Sequence, residues 1–410
     1  MQIQKTSLAA LSLAIAGATT AMANTNSDKT PADLPRCETI PDQVRARDIG
    51  LAPGVLPTGA LNAITDVKDV RVGHITLTEG PSTRTGATAI LPHGGNIFAE
   101  KVPAGVFVAN GFGKSAGIPQ IEELGEIETP IVLTNTLAVS HAMEAVIDWT
   151  LNQRGNEDVK SVNAVIGETN DRGLNNIRAR GIKADQVLTA IESAESGRVV
   201  EGAVGAGTGT VAFGWKGGIG TSSRQLPDAL GGYTVGVLVQ SNYGGTLMMD
   251  GVRIGEELGQ FYLKDHQQRD ETTSATDPTP DGSIILIVAT DAPLSDRNLQ
   301  RVARRAIFGL ARTGASFSNG SGDYAIAFST DPAVRRTGER RATVTAYPEV
   351  SNDKMSPLFQ ATIEAAEEAI YNSLLMATTT TSVDASSGTT VTVEALPVKK
   401  VAALLGRCKQ

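Results

Sequence analysis

Short apolar runs of strand-forming residues alternate with amphipathic stretches through the first two thirds of the chain, and Gly falls at nearly every junction. This alternation indicates an α/β protein in which helices cover a central sheet. The apolar runs predict strands at residues 104–109, 130–133, 164–166, 211–213 and 234–239. The amphipathic stretches predict helices at residues 138–152 and 183–195.

The alternation breaks at residues 264–282 (KDHQQRDETTSATDPTPDG), where Ala275 is the one apolar residue. Such a composition predicts an exposed, flexible linker. The run SIILIVA follows at once and predicts a buried strand whose first residue, Ser283, is a small hydroxyl. This order suits a nucleophile at a sheet edge behind a cleavable peptide bond. Further on, the pattern predicts a helix, a strand, a second long helix and a Thr- and Ser-rich hairpin or loop, at residues 296–312, 324–328, 357–376 and 378–393.

The first 23 residues have the pattern of a secretory signal peptide. Lys5 supplies the positive charge, an apolar stretch follows at residues 8–16, and Ala21-Met22-Ala23 supplies a cleavage site. We therefore expect a mature chain that starts near Asn24 and is periplasmic or secreted.

Export would place the two cysteines, Cys37 and Cys408, in an oxidising compartment. Chain termini often lie close together, so a Cys37–Cys408 disulfide is one interpretation. Two free thiols are the other, and the sequence favours neither.

Composition narrows the classes of function. The 410 residues include 36 Lys and Arg against 44 Asp and Glu, for a net charge of −8, which argues against a nucleic-acid partner. Two Cys cannot form a zinc ribbon, and the four His are too scattered for a zinc-protease motif, so no metal or cofactor is expected. The apolar stretches are too short to predict a membrane-spanning helix.

Three glycine-rich stretches have more than one interpretation. Residues 113–117 (GKSAG) match the G-x-S-x-G motif of α/β-hydrolases, but Pro119 follows early and the downstream His is poorly placed, which favours a loop. Residues 205–209 and 217–221 lack the spacing of a nucleotide-binding motif. For these two stretches, tight backbone packing or a substrate-lining turn is expected.

Polar residues at the ends of predicted strands are the other candidates for chemistry. Asn242 is either a turn residue or an amide donor for an oxyanion. Glu168 is either a surface charge or an anchor for a substrate amine. Ser321 and Asp323 form either a turn or, near another Ser, a proton-relay pair.

Together these motifs resemble the DmpA-type self-processing aminopeptidases, which include β-peptidyl aminopeptidases and L-aminopeptidase/D-amidases. The resemblance spans about residues 45–401. Its landmarks lie in order at residues 62–67 (NAITDV), 71–74 (RVGH), 133–137 (LTNTL), 167–171 (GETND), 216–224 (KGGIGTSSR), 236–242 (GVLVQSN), 282–285 (GSII) and 289–294 (ATDAPL).

The resemblance implies an αββα sandwich of the type shared with ornithine acetyltransferases, similar to N-terminal-nucleophile hydrolases. It also implies a zymogen that cuts its own Gly282–Ser283 bond. Residues 24–282 would form the α chain and residues 283–410 the β chain of one catalytic domain. Tetramers of such αβ units are usual in the family.

The resemblance also assigns roles. Ser283 would be the nucleophile, supported by Ser321 and Asp323, with Asn242 as oxyanion donor and Glu168 as anchor for the substrate amine. Some relatives have Glu where this chain has Asp323. A nucleophile that carries its own α-amine needs no imidazole base, which agrees with the scattered His residues.

The expected function is therefore a secreted serine aminopeptidase that acts on short peptides and amides with a free amine, including β-peptides, through an acyl-enzyme on Ser283. One alternative is an L-aminopeptidase or D-amidase/esterase preference. A second is acyl transfer, as in ornithine acetyltransferases, although those typically use Thr as the nucleophile. A third is a binding protein that holds amines at Glu168, which the joint presence of Ser283, Ser321 and Asp323 disfavours.

Overall fold

The computed structural model describes residues 34–264 and 282–409. Its strands are β1 Arg71–Glu79, β2 Thr83–Leu91, β3 Glu100–Gly111, β4 Glu126–Ile127, β5 Ile131–Asn135, β6 Val165–Thr169, β7 Val211–Ala212, β8 Trp215–Lys216, β9 Gly218–Gln225, β10 Thr234–Asn242, β11 Ser283–Thr290, β12 Gly322–Ser329, β13 Arg336–Thr337, β14 Thr380–Val383 and β15 Thr390–Val393. Its α-helices are α1 Ile118–Leu124, α2 Val139–Leu151, α3 Ala184–Glu192, α4 Ile254–Glu257, α5 Asp296–Arg312, α6 Gly338–Arg341, α7 Ser356–Leu375 and α8 Val398–Leu404.

Two sheets organise these elements. The first has the strand order β1–β2–β5–β6, and the second has the order β13–β3–β12–β11–β10–β9 with β4 beside β3. At the centre of the second sheet, β11 is antiparallel to β10 and parallel to β12. The start of β11 therefore lies between the end of β10 and the start of β12.

Alternate residues of β11 face two different cores. Ile285 and Ile287 pack with Leu133 and Val165 of the first sheet, so this core lies between the two sheets. Ile284 and Leu286 belong to a core shared with the helices α5 and α7. A continuous apolar run is what a strand buried on both faces requires.

The outer face of the first sheet forms a third core. Ala89 and Val132 of this sheet pack there with Ala142, Val146 and Ala190 of α2 and α3. The layers are thus helices, sheet, sheet, helices, which confirms the predicted αββα sandwich. From Pro35 onward the described residues form one compact unit.

Most predicted elements are confirmed, including β11 and the exact bounds of α5. The Thr- and Ser-rich segment forms the hairpin β14–β15, and residues 113–117 lie in a loop between β3 and α1. The prediction of a turn at residues 217–221 is wrong, because most of them belong to β9. The alternative prediction for this stretch, tight backbone packing, is confirmed, since a Cβ on Gly220 would lie 2.0 Å from the Ala369 carbonyl oxygen.

Two predictions lie outside the described residues. These are the signal peptide at residues 1–23 and nearly all of the linker at residues 264–282. Within the part of the chain that the structure describes, no helix is long and apolar enough to cross a membrane.

The two cysteines are joined in a Cys37–Cys408 disulfide, with their Cα atoms 5.0 Å apart. Backbone hydrogen bonds run beside it, from Cys37 N to Lys409 O and from Lys409 N to Pro35 O, both 2.9 Å. The beginning and end of the described chain therefore lie together, and the disulfide interpretation of the sequence is confirmed.

Candidate active site

The candidate site lies at one edge of the second sheet, where three strand ends meet. Ser283, the first residue of β11, is opposite Asn242 of β10 and Gly322 of β12. The pairing register alone thus brings together residues that are far apart in sequence. Ser321 and Asp323 flank Gly322 and join the same edge.

Ser283 is buried, and its Oγ accepts a hydrogen bond of 3.1 Å from the Gly322 backbone N–H. The same N–H lies 3.3 Å from the carbonyl oxygen of Gly282. One main-chain donor therefore points at both the predicted nucleophile and the carbonyl of the bond predicted to be cleaved. A fixed dipole in that place can stabilise an oxyanion that forms there.

Close backbone approach explains the two glycines beside Ser283. A Cβ on Gly282 would lie 2.4 Å from both the Asn242 carbonyl oxygen and the Tyr243 Cα. A Cβ on Gly322 would lie 2.6 Å from the Gly113 Cα. These backbone atoms cannot move away as a flexible side chain would, so both positions require glycine.

Ser321 and Asp323 form a buried hydroxyl–carboxylate pair. Ser321 Oγ donates to Asp323 Oδ1 at 2.5 Å, and Asp323 is 2% exposed. The second carboxylate oxygen, Oδ2, is buried and has no hydrogen-bond partner among the described residues. Burial raises the pKa of Asp323 to about 6 from the ordinary 3.8, against the opposing effects of hydrogen bonds from Ser321 and from the Ile284 backbone. An unpaired carboxylate oxygen can accept a proton or bind an amine.

Glu168 lies on β6 of the first sheet and is 2% exposed, so its interpretation as a surface charge is wrong. Its Oε1 accepts a 2.7 Å hydrogen bond from the Lys114 backbone N–H. Its Oε2 accepts a hydrogen bond from the Thr136 hydroxyl. Both donors are neutral, so they orient the carboxylate without cancelling its charge.

Asn242 is the last residue of β10, and its amide is held by the fold. Oδ1 accepts from the Val211 N–H at 2.9 Å, and Nδ2 donates to the Asn170 carbonyl oxygen at 3.2 Å. The second contact ties the edge of the second sheet to the segment that follows Glu168. The role of oxyanion donor stays a prediction for Asn242.

Sequence patterns did not point to several of the groups that lie at the site. Thr136 lies within the motif LTNTL, but nothing there indicates that it contacts Glu168. Tyr324 donates its hydroxyl hydrogen to the Gly113 carbonyl oxygen at 3.2 Å. Burial raises the pKa of Tyr324, and the negative charges of Glu168 and Asp323 raise it further. The N–H groups of Lys114 and Gly322 act through the backbone and leave no side-chain signal.

No group of three or more His, Cys, Asp or Glu among residues 34–264 and 282–409 is arranged to hold a metal ion.

The model of peptidase family S58 matches residues 62–387. The chain belongs to peptidase family S58. It is 40% identical over 384 residues to β-peptidyl aminopeptidase BapA of Sphingosinicella microcystinivorans. This match covers 89% of this chain and 93% of that protein. It is 38% identical to β-peptidyl aminopeptidase BapA of Sphingosinicella xenopeptidilytica, over 82% of this chain and 86% of that one.

Solved structures agree with this family. The β-aminopeptidase of a Burkholderia species has a TM-score of 0.78 and 37% identity, and the match covers 90% of this chain and 99% of that chain. The L-aminopeptidase D-Ala-esterase/amidase of Ochrobactrum anthropi, described as a variant of the Ntn hydrolase fold, has a TM-score of 0.77 and 34% identity, over 89% and 99%. The predicted resemblance to DmpA-type enzymes is confirmed, and this S58 protein is a hydrolase of the aminopeptidase type.

Proposed function

We propose that this S58 protein is an exported, self-processing serine aminopeptidase that removes the N-terminal residue of short peptides and amides through an acyl-enzyme on Ser283. The main support is the position of the Gly322 N–H, within 3.1 Å of Ser283 Oγ and 3.3 Å of the Gly282 carbonyl oxygen. A nucleophile, its target carbonyl and a fixed oxyanion donor are thus neighbours in the uncut chain.

Self-cleavage begins when Ser283 Oγ attacks the Gly282 carbonyl carbon. The C–N bond breaks, the acyl group moves to the oxygen, and the hydroxyl proton ends on the Ser283 nitrogen. Water then hydrolyses the ester, which leaves a carboxylate on Gly282 and a free amine on Ser283. The Gly322 N–H stabilises the oxyanion of the first step, an effect worth about 3–4 kcal/mol for one such donor.

In the processed enzyme, the new α-amine serves as the base for its own hydroxyl. Ser283 Oγ attacks the substrate amide, the leaving amine takes the proton, and water releases the acyl group. Asp323 Oδ2 supplies the acceptor that holds the new amine, and Ser321 fixes the other carboxylate oxygen at 2.5 Å. We include Asn242 as a second oxyanion donor, which requires its Nδ2 to donate to the oxyanion as well as to the Asn170 carbonyl oxygen.

Glu168 selects substrates that begin with a free amine. Its two carboxylate oxygens are bound by the neutral Lys114 N–H and Thr136 hydroxyl, so an incoming ammonium would be its first cationic partner among these contacts. Such an anchor restricts cleavage to the first residue of the substrate. Two relatives are named β-peptidyl aminopeptidase, and on that ground we propose β-amino acids as one class of first residue for this chain.

Export and chain cleavage give the Cys37–Cys408 disulfide a further consequence. Cys37 would lie in the α chain and Cys408 in the β chain, so the bond would join the two products covalently. We propose a periplasmic or secreted tetramer of such αβ units.

The test is to compare wild type with Ser283→Ala by intact mass, N-terminal sequencing and electrophoresis. Wild type should yield new termini at Ser283 and near Asn24, and it should separate into two chains only after reduction. Ser283→Ala should stay uncut and inactive on L-, D- and β-homoamino acid amides, whose relative rates in wild type define the specificity.

Ser115→Ala is the matched control. Ser115 is the serine of the GKSAG loop, and its hydroxyl is buried without a hydrogen-bond partner among the described residues. This variant should process and turn over substrate as wild type does. Cleavage at residue 282 in Ser283→Ala, or loss of activity in Ser115→Ala, would contradict the assignment.

A further inference from the structure

The loop that follows β3 touches both halves of the candidate site. The Phe112 N–H donates to the Ser321 carbonyl oxygen at 3.3 Å. Two residues later, the Lys114 N–H donates to Glu168 at 2.7 Å. This segment therefore bridges the nucleophile edge of the second sheet and the carboxylate proposed to hold the substrate amine.

The loop is fixed in place by its neighbours. The Gly113 carbonyl accepts from the Tyr324 hydroxyl at 3.2 Å, and Gly113 lies so close to Gly322 that a Cβ on the latter would meet its backbone. Residues on this loop thus keep a defined position relative to Ser283.

Phe112 places an apolar ring beside the polar groups of the candidate site. Its side chain is 56% exposed, although a ring of this size gains much from being covered. The Lys114 ammonium lies 4.0 Å from the ring centroid and donates to the Phe112 carbonyl oxygen at 2.6 Å. The cation occupies one face of the ring, and a large part of the ring surface remains open beside the site.

We propose that the Phe112 ring contacts the side chain of the substrate's N-terminal residue and makes the enzyme prefer apolar side chains there. This inference rests on the proposed function, since Glu168 must hold the amine of that same residue. A substrate residue whose amine lies at Glu168 and whose carbonyl lies at Ser283 has its side chain in the region that the Phe112–Lys114 loop borders. An exposed aromatic ring in that position supplies apolar contact area without a hydrogen-bonding requirement.

The test compares Phe112→Ala and Phe112→Leu with wild type on p-nitroanilides. One pair of substrates, leucine and β-homoleucine, carries an apolar side chain, and the other, glycine and β-alanine, carries none. Phe112→Ala should lower the ratio of kcat/KM values between the two pairs about tenfold, mainly through KM, because single apolar contacts discriminate by about 10–200-fold. Phe112→Leu should recover part of the ratio, and kcat for glycine or β-alanine should stay within about twofold of wild type.

Phe308→Ala is the matched control. Phe308 lies on α5 and is 50% exposed, so it offers an exposed ring of the same type on a different element. Its replacement should leave the ratio unchanged. An unchanged ratio in Phe112→Ala, an equal loss on all four substrates, or a change in oligomer mass with an unchanged ratio would each overturn the proposal. Normal cleavage at Ser283 in these variants would show that the proposed function itself still holds.

Discussion

Two pairs of buried carboxylates in this protein differ in the groups that bind them. Glu364 and Glu368 of α7 contact the guanidinium of Arg224, and all three side chains are fully buried. Glu168 and Asp323 of the candidate site are almost as deeply buried, at 2% exposure each. Their hydrogen-bond donors among the described residues are hydroxyl and backbone groups.

The arginine cluster, which comprises Arg224, Glu364, Glu368 and Arg47, connects distant parts of the chain. Arg224 on β9 lies 3.1 Å from Glu364 and 2.8 Å from Glu368. Arg47, near the start of the described chain, lies 2.9 Å from Glu368. Removing a charge from water costs several kcal/mol unless a partner is close, and here each carboxylate has one. The cluster therefore holds the N-terminal segment, β9 and α7 together.

The difference separates a structural role from a functional one. A carboxylate bound to arginine has little affinity left for another cation. A carboxylate held by neutral donors keeps its charge available for a later partner, which we propose is the substrate ammonium at Glu168 and the neutral amine of a newly cut chain terminus at Asp323. Burial alone does not distinguish these roles, whereas the charge of the donors does.

The largest expected effect is on stability, from Arg224→Met. It leaves Glu364 and Glu368 buried without their shared cation, and loss of one partner from a buried ion pair costs about 3–5 kcal/mol. Chemical denaturation in the single-chain Ser283→Ala background measures the free energy of unfolding. Adding Glu364→Gln should restore part of the loss, because the charge left without a cation is then gone, whereas Glu368 keeps its ion pair with Arg47. A loss below about 1 kcal/mol in the single variant would contradict the structural role of the cluster.

Glu168→Gln should have the opposite profile, with a large effect on activity and a small one on stability. Removing the charge that we propose meets the substrate ammonium should lower kcat/KM about 100-fold, mainly through KM, which corresponds to about 2.7 kcal/mol. The free energy of unfolding should change by less than about 1 kcal/mol, since Gln can still bond to neutral donors. Steady-state kinetics on amides, with self-cleavage monitored by electrophoresis, gives both readouts.

Glu364→Gln is the control that completes this comparison. It should destabilise the protein while the folded fraction keeps its kcat/KM. If Glu168→Gln destabilises as much as Glu364→Gln does, the two pairs of carboxylates do not differ in role.

Asp323→Asn tests the second site carboxylate through the pH dependence of stability. Burial raises the pKa of Asp323 to about 6, above its ordinary 3.8, so the folded chain binds a proton that the unfolded chain releases. This contribution is complete below about pH 4 and is lost as the pH rises through 6, for a total of about 3 kcal/mol. In the Ser283→Ala background, Asp323→Asn should remove that decline and be the more stable chain at pH 7. If the free energies of unfolding of the two chains change in parallel from pH 4 to 7, Asp323 is not an unpaired buried carboxylate.

Much of the fold could be predicted because its strands are buried on both faces. The run SIILIVA and the polar linker before it located β11, and the stripe in Asp296–Arg312 located α5. For residues 217–221 the sequence left tight packing and a turn as alternatives, because a glycine-rich pattern does not reveal that the strand β9 lies close to α7. The αββα layers themselves came from the family resemblance and not from the pattern.

The site could be predicted only as a set of residues, not as an arrangement. Glu168 is bound by groups 54 and 32 positions away, so its burial could not be inferred from its neighbours in sequence. The Gly322 N–H carries no side-chain signal, and only the parallel pairing of β11 with β12 reveals that it faces Ser283. Sequence patterns find strand ends, and the register decides which ends meet.

The smallest expected effect comes from an ion pair that is neither buried nor part of the site. Arg253 and Glu256 lie 3.2 Å apart with side chains 68% and 43% exposed. Water and salt screen such a pair, so Arg253→Ala should change the free energy of unfolding by less than about 0.5 kcal/mol in chemical denaturation. A loss comparable to that of Arg224→Met would mean that ion pairing contributes equally at the surface and in the interior. The near-zero result expected instead would agree with a loss in Arg224→Met that arises because the carboxylate left without its partner has no access to water.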